Sequence, residues 1–312
     1  MTQQIDRTIA TSQRPPDALG KAASCRSFEP AAALQACVRG FVVRRIRGAA
    51  DTEHLSHFPA TASCSVSWFV EGSARRLNDS QSTQARIVFR GPQTRPVLVR
   101  HRGPLHMFIL LLAPDALWWL TGADVERHLN RICPLAAALD DSWQAMALDV
   151  LRAACDEERV RIVENFLEPR WRAARSTRPA YWGPARRHGE WSRAAMSRAR
   201  TFSKARSKRQ LERRMRSITG WSARALRGLA RVEEALLLAA RSTQSRVNWA
   251  RIAAEAGYAD QSHLCRELRR YTGLTPQQLW RRVPDDEELW VYKAWFGWRQ
   301  QPTSNEQPVA SC

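Results

Sequence analysis

The chain of 312 residues is predicted to be α+β overall, with a β-rich N-terminal domain carrying trailing helices and an all-α C-terminal domain behind it. Three observations predict this. Short runs of β-branched, aromatic and aliphatic residues, separated by turn residues, fill positions 28–112. Apolar residues at helical spacing follow from Asp141 onward. A segment beginning at Ser207 repeats itself 53 positions later without a gap, and each copy reads as helix, glycine stop and new helix.

In chain order, residues 1–21 are polar, contain Pro15-Pro16, and are expected to be a flexible tail. Residues 22–168 are expected to form a first domain. Its strands are predicted at 41–46, 64–70, 86–89, 97–99 and 107–112, with turns at Glu71-Gly72-Ser73, Asn78-Asp79-Ser80, Gly91-Pro92 and Gly103-Pro104. That pattern suits an antiparallel meander or a cupin-like barrel. Trp143, Met146, Ala147, Val150, Leu151 and Ala154 then fall on one helical face. Asp156 offers an N-cap for a second helix bearing Val160, Val163, Phe166 and Leu167. Pro169 is expected to close the domain. Residues 169–186, rich in Pro, Gly, Trp and Arg with neither period, are expected to be a linker.

The repeat pairs residues 207–226 with 260–279. Ser207 matches Asp260 as a cap, Leu211, Met215 and Ile218 match Leu264, Leu268 and Tyr271 as an apolar stripe, and Thr219-Gly220 matches Thr272-Gly273 as a stop. Thr275-Pro276-Gln277-Gln278 has the form of a capping box with proline at the first helical position. Trp249, Ile252, Ala253 and Ala256 mark a short helix ending at Gly257, just before the second copy, so helix, tight turn and helix form a helix-turn-helix. Between the copies, residues 222–241 read as a long helix with Leu226, Leu229, Val232, Leu236 and Ala240 available for burial.

Charge narrows the function. Lys plus Arg number 49 against 30 Asp plus Glu, a formal net charge of +19. Residues 171–282 hold 26 basic and seven acidic side chains, whereas residues 1–170 hold 21 and 18. The excess therefore belongs to the repeated region, as in a basic module attached to a near-neutral one, and a charge of this size points to nucleic acid, an acidic protein or an anionic membrane surface as partner. All but four of the basic residues are arginine, whose fork suits phosphate and guanine. A membrane span is not expected, because the apolar run 107–120 is short and broken by Pro114 and Asp115. With no apolar segment in the first twenty residues, a cytoplasmic protein is expected. Seven scattered cysteines with no CxxC pair argue against a disulfide framework and a thiolate zinc site.

Residues 252–281, IAAEAGYADQSHLCRELRRYTGLTPQQLWR, resemble the second helix-turn-helix of the AraC family of bacterial transcription regulators, and residues 207–226 resemble the first. The resemblance implies a DNA-binding domain over 187–283 of two helix-turn-helix units joined by a long helix, and an N-terminal regulatory domain; residues 284–312, with Trp290, Trp295 and Trp298, read as a Trp-rich tail. Its base-reading positions fall on Arg209, Glu212 and Arg213, and on Gln261, Ser262, Cys265 and Arg266. The outward faces add Lys208, Arg216 and Arg269, and Arg270 is assigned to phosphate. One departure stands out: Arg200, Ser203 and Lys204 occupy the places of Ala253, Ala256 and Gly257 in the helix expected upstream of the first unit, near 191–203.

Double-stranded DNA is the expected partner, with a small-molecule effector, RNA polymerase if the protein activates, and a second copy of the chain as further candidates. No cofactor, catalytic residue or metal ligand is expected, since no Walker-type loop, HExxH or GxSxG is present. Two alternatives are kept: an enzymatic front domain, metal-dependent or base-repairing, fused to the DNA-binding part, and a nonspecific nucleic-acid scaffold. His54, His57, His101 and His106 would matter to the first. Cys265 is weighed as a redox switch against a small groove-facing thiol, and residues 289–298 as a partner-binding helix against a tail packing on its own protein.

Overall fold

A computed structural model of the chain describes residues 23–76, 85–176, 190–191, 194–195, 197, 207–242 and 247–296. The tail 1–21, the turn at Asn78-Asp79-Ser80, most of the expected linker, residues 192, 193, 196 and 198–203 of the expected upstream helix, and residues 297–312 of the expected Trp-rich tail lie outside these residues.

The front domain has two antiparallel sheets. Strands β1 (Ala23–Phe28), β2 (Val38–Ile46), β4 (Cys64–Glu71), β6 (Ile87–Arg90), β8 (Leu105–Leu112) and β9 (Ile132–Pro134) make the larger, in the order β1-β2-β8-β4-β6-β9. Strands β3 (Glu53–Phe58), β5 (Ala74–Arg76) and β7 (Val97–Arg102) make the smaller, in the order β3-β7-β5. In a meander, chain neighbours pair in turn; here β2 pairs with β8, and the chain changes sheets at Gly72 and again at Gly103, both at positive φ. The strands thus enclose a space between two sheets, which is the cupin-like alternative.

Alternation divides the core. On β8, Phe108, Leu110 and Leu112 face outward against α2 (Asp141–Arg152) and α3 (Asp156–Ser176), where Trp143, Met146, Val150, Val163 and Leu167 are buried. The Trp68 indole N–H donates to the Ala147 carbonyl at 3.0 Å, fastening β4 to α2. Leu105, Met107, Ile109 and Leu111 face the other way, into the space between the sheets, with Val42, Ile46 and Phe69 on their side and Phe58 opposite. Arg90 also lies in this space, its Nε 3.2 Å from Ser65 Oγ and its guanidinium 4.8 Å from the Phe58 ring centroid. Burial pushes its pKa down to about 10.

Two expectations for the helices are corrected. Asp156 does not cap α3 but begins it, and its carboxylate is used by Arg45, His106 and Arg159 at 2.6, 2.9 and 3.0 Å. The helix also does not stop at Pro169 but runs on to Ser176. A proline inside a helix removes one backbone bond, yet continuing buries Trp171 to 1% exposure, and burial of a large aromatic outweighs that loss. The part of the expected linker from 169 to 176 is therefore helical.

Among the described residues the rear part includes α4 (Lys208–Thr219), α5 (Ala223–Ala240), α6 (Trp249–Glu255), α7 (Gln261–Thr272) and α8 (Pro276–Arg282). These are the helices the repeat predicts. The chain then passes through a 3₁₀ turn, Glu287–Leu289, into α9 (Trp290–Phe296), which returns to the front domain. Trp290 is 1% exposed and belongs to the apolar cluster between the sheets. Its indole N–H donates to Ser56 Oγ at 2.9 Å, its ring meets Phe58 edge-on at 5.7 Å, and the Arg44 guanidinium stacks on it at 5.3 Å while bonding Glu287 at 2.8 Å. Of the two readings of residues 289–298, packing on the chain's own protein is what Trp290–Tyr292 do. Among the described residues no helix is long and apolar enough to cross a membrane.

His101 bonds the same Ser56 hydroxyl at 3.0 Å and is 1% exposed. Burial, reinforced by the Arg44 charge, lowers its pKa to about 4. A histidine held neutral in the fold contributes stability above its unfolded value of about 6.5 that is lost as pH falls toward 4. Urea midpoints are expected to drop across that window at a slope from His101 of up to about 1.4 kcal/mol per pH unit, and His101→Gln to flatten it. His57, lowered to about 4 chiefly by burial, adds to the same limb.

Candidate nucleic-acid interface

The two copies of the repeat fold alike down to single hydrogen bonds. Ser207 caps α4 by accepting from the Gln210 N–H, and Asp260 caps α7 by accepting from the His263 N–H. Both helices end at a glycine in the left-handed region, Gly220 at φ 72° and Gly273 at φ 73°. The preceding threonine repeats as well. Thr219 Oγ1 donates to the Met215 carbonyl and accepts from the Trp221 N–H; Thr272 Oγ1 does the same with Leu268 and Leu274. The chain then restarts on a capping hydroxyl, Ser222 for α5 and Thr275, with a full capping box, for α8.

The buried stripes are Met215 and Ile218 on α4, and Leu264, Leu268 and Tyr271 on α7. They leave the predicted residues facing outward. On α4, Lys208, Arg209, Arg213 and Arg216 are exposed, and half-buried Glu212 lies 3.8 Å from Arg216. On α7, Gln261, Ser262, Arg266, Arg269 and Arg270 are exposed and Cys265 is half-buried. Burial raises the Cys265 thiol above its ordinary value although Arg266 pulls the other way, which disfavours the thiolate that redox chemistry needs. The structure thus gathers the candidates onto two equivalent faces, one per helix. Arg224 and Arg227 on α5, Arg251 on α6 and Arg281 on α8 add exposed cations to the same domain. Nothing in the repeat singled these out, because they fall outside the matched positions or opposite uncharged residues.

Helix α5 spans about 27 Å at 1.5 Å per residue and joins the two units. It crosses α7 closely at Gly228, where an added Cβ would lie 2.8 Å from the Tyr271 hydroxyl. Tyr271 Oη donates to the Ala225 carbonyl at 3.2 Å, and Arg231 bridges to Glu267 at 3.1 Å. Helix α6, capped by Asn248 and ended at Gly257 (φ 77°), completes the second helix-turn-helix with α7.

The front domain meets both units at their C-terminal ends. The Arg214 guanidinium lies 4.2 Å from the Trp118 ring of α1 (Pro114–Thr121), Gly220 approaches Pro92, Leu129 and Val125, and Gly273 approaches Pro96. The capped N-terminal ends of α4 and α7 are exposed, and N-terminal residues are the ones a recognition helix presents to base edges. Of the four histidines considered as metal ligands, His101 is on Ser56, His106 on Asp156, and His57 lies 3.2 Å from the Tyr292 hydroxyl. Among the described residues no three His, Cys, Asp or Glu side chains converge as a metal site.

Residues 204–282 match the family model of a helix-turn-helix domain. Among solved structures, ToxT from Vibrio cholerae O395 is similar at 9% identity and a TM-score of 0.35, over 77% of this chain and 97% of that one. A second structure of ToxT from Vibrio cholerae is similar at 8% identity and a TM-score of 0.36, over 84% and 98%. No curated protein matches the chain.

Proposed function

We propose that this chain, whose residues 204–282 are an AraC-type helix-turn-helix domain, is a transcription regulator that reads two successive major grooves of double-stranded DNA with α4 and α7. The carrying observation is the doubled geometry: two helices with the same cap, stop and threonine bonds present arginine at equivalent positions, Arg213 and Arg266, on faces left exposed. Arginine paired bidentately with guanine and glutamine paired with adenine are common direct readouts, so Arg209, Arg213, Gln261 and Arg266 are assigned to bases. Lys208, Arg216, Arg269 and Arg270 are assigned chiefly to phosphate, while Glu212, Ser262 and Cys265 border the reading faces. The front domain is the regulatory half rather than an enzyme, and the protein acts in the cytoplasm. An effector, RNA polymerase in the case of activation, and a second copy of the chain are its candidate partners.

Two substitutions test the assignment on duplexes selected by the protein from a randomised library. Arg266→Ala is expected to weaken binding by about 1–3 kcal/mol and to relax preference at one base pair. Arg270→Ala is expected to weaken all sequences alike and to reduce the slope of log affinity against log salt by about one unit. A protein that enriches no sequence, with a steep salt dependence, is the nonspecific scaffold instead.

A further inference from the structure

Both reading helices end beside one loop of the front domain, Gly220 lying also against Leu129 and Val125 and Gly273 against His57. Residues 91–96 run from β6 to β7. A Cβ placed on Gly220 would lie 3.4 Å from Pro92 Cγ, and a Cβ placed on Gly273 would lie 3.2 Å from Pro96 Cγ. At the second contact the Ala60 N–H also donates to the Tyr271 carbonyl at 2.8 Å. Gly220 and Gly273 are repeat equivalents, so the loop lies beside each unit at the same point of its geometry.

The loop itself is braced. Gln93 and Thr61 exchange two backbone bonds of 2.8 Å, and the buried Gln93 amide donates to the Gly91 carbonyl at 2.9 Å. Asn130 holds the far side: its Oδ1 accepts from the Thr94 N–H at 2.8 Å and from the Thr94 hydroxyl at 3.0 Å, and its own N–H donates to the Pro92 carbonyl at 2.8 Å. Asn130 does this at φ 59°, a left-handed conformation that asparagine tolerates better than most residues. Gly91 sits against the His128 backbone, where any Cβ would overlap the carbonyl oxygen. Pro92 and Pro96 are thus two fixed points on one rigid part.

A single rod, α5, joins the reading helices at one side; a second attachment at their C-terminal ends turns rod and helices into a closed frame. We propose that residues 91–96 are a positioning strut that sets the separation and mutual angle of α4 and α7, and hence the half-site spacing the protein accepts. This rests on the DNA-reading function proposed above. It makes the front domain act on spacing rather than on either half-site, and Pro92, Pro96 and Asn130 are its positioning residues.

The test uses full-length protein and a duplex selected by the wild type from a randomised library. The same duplex is then remade with one base pair added or removed between half-sites. Each such change shifts one half-site by about 3.4 Å and turns it by about 35°. Wild type is expected to lose at least about tenfold in affinity on either altered duplex, in the range of a mismatched site. The double variant Pro92→Ala with Pro96→Ala, and separately Asn130→Gly, which keeps the left-handed backbone, are expected to lose less than about threefold while binding an isolated half-site as wild type does. Thermal melts establish that both variants are folded. Spacing discrimination unchanged in both variants overturns the proposal. So does an equal loss at every spacing and on the isolated half-site, which would make the loop only a structural support. A wild type that enriches no sequence overturns the DNA-reading function itself, and the strut with it.

Discussion

Trp290→Ala is expected to lower the free energy of unfolding by about 3–5 kcal/mol, read as a shift of the urea midpoint at unchanged slope. The indole is 1% exposed, so truncation leaves a cavity lined by Phe58 and the aliphatic residues of β2 and β8. It also strips Arg44, itself 3% exposed, of the ring it stacks on. Trp290→Phe is expected to restore most of the loss, short of the bond to Ser56, which is worth about 1 kcal/mol. A midpoint that stays at the wild-type value in Trp290→Ala would mean that the indole does not fill the space between the sheets.

Asp156→Asn is expected to destabilise by about 3–5 kcal/mol, because removing one partner of a buried ion pair strands the other. The stranded group is Arg159, whose side chain is 4% exposed; Arg45 and His106, cross-strand neighbours on β2 and β8, lose the same anchor. Burial alone would raise the Asp156 carboxyl, but the hydrogen bonds and charges of His106 and Arg45 outweigh it and hold the pKa well below the carboxylate range. A carboxyl depressed in this way contributes stability above its unfolded value of about 4 and loses it as pH falls below that. The difference in stability between wild type and Asp156→Asn is therefore expected to be full at pH 6 and to shrink steadily from pH 4 to pH 2. A difference independent of pH would remove the ion pair as its cause.

What could be read in advance was what each stretch specifies for itself. Ser207, Gly220, Asp260 and Gly273 set helix ends through their own backbone chemistry, so the repeat and the exposed faces of α4 and α7 were legible, as were β2, β4 and β8 with their apolar runs. Strands β1 and β3 were not foreseen. β1 is largely exposed at a sheet edge, and the Glu-His-Leu-Ser-His-Phe of β3 becomes a strand through its partner β7. The extension of α3 past Pro169 depends on the burial of Trp171, a tertiary effect. The closeness of Pro92 and Pro96 to two glycines more than 120 positions away left no local signal at all.

The seat of Trp290 also sets an order of events on the ribosome. Its bond to Ser56 spans 234 positions and the Arg44–Glu287 bond spans 243. At about 5–20 residues per second, Ser56 emerges on the order of ten to fifty seconds before Trp290, the residue that seats against it. During that interval the face of Leu105, Met107 and Ile109 is without its final cover. A nascent chain stalled short of Trp290 would therefore leave this apolar face without the indole that packs against it.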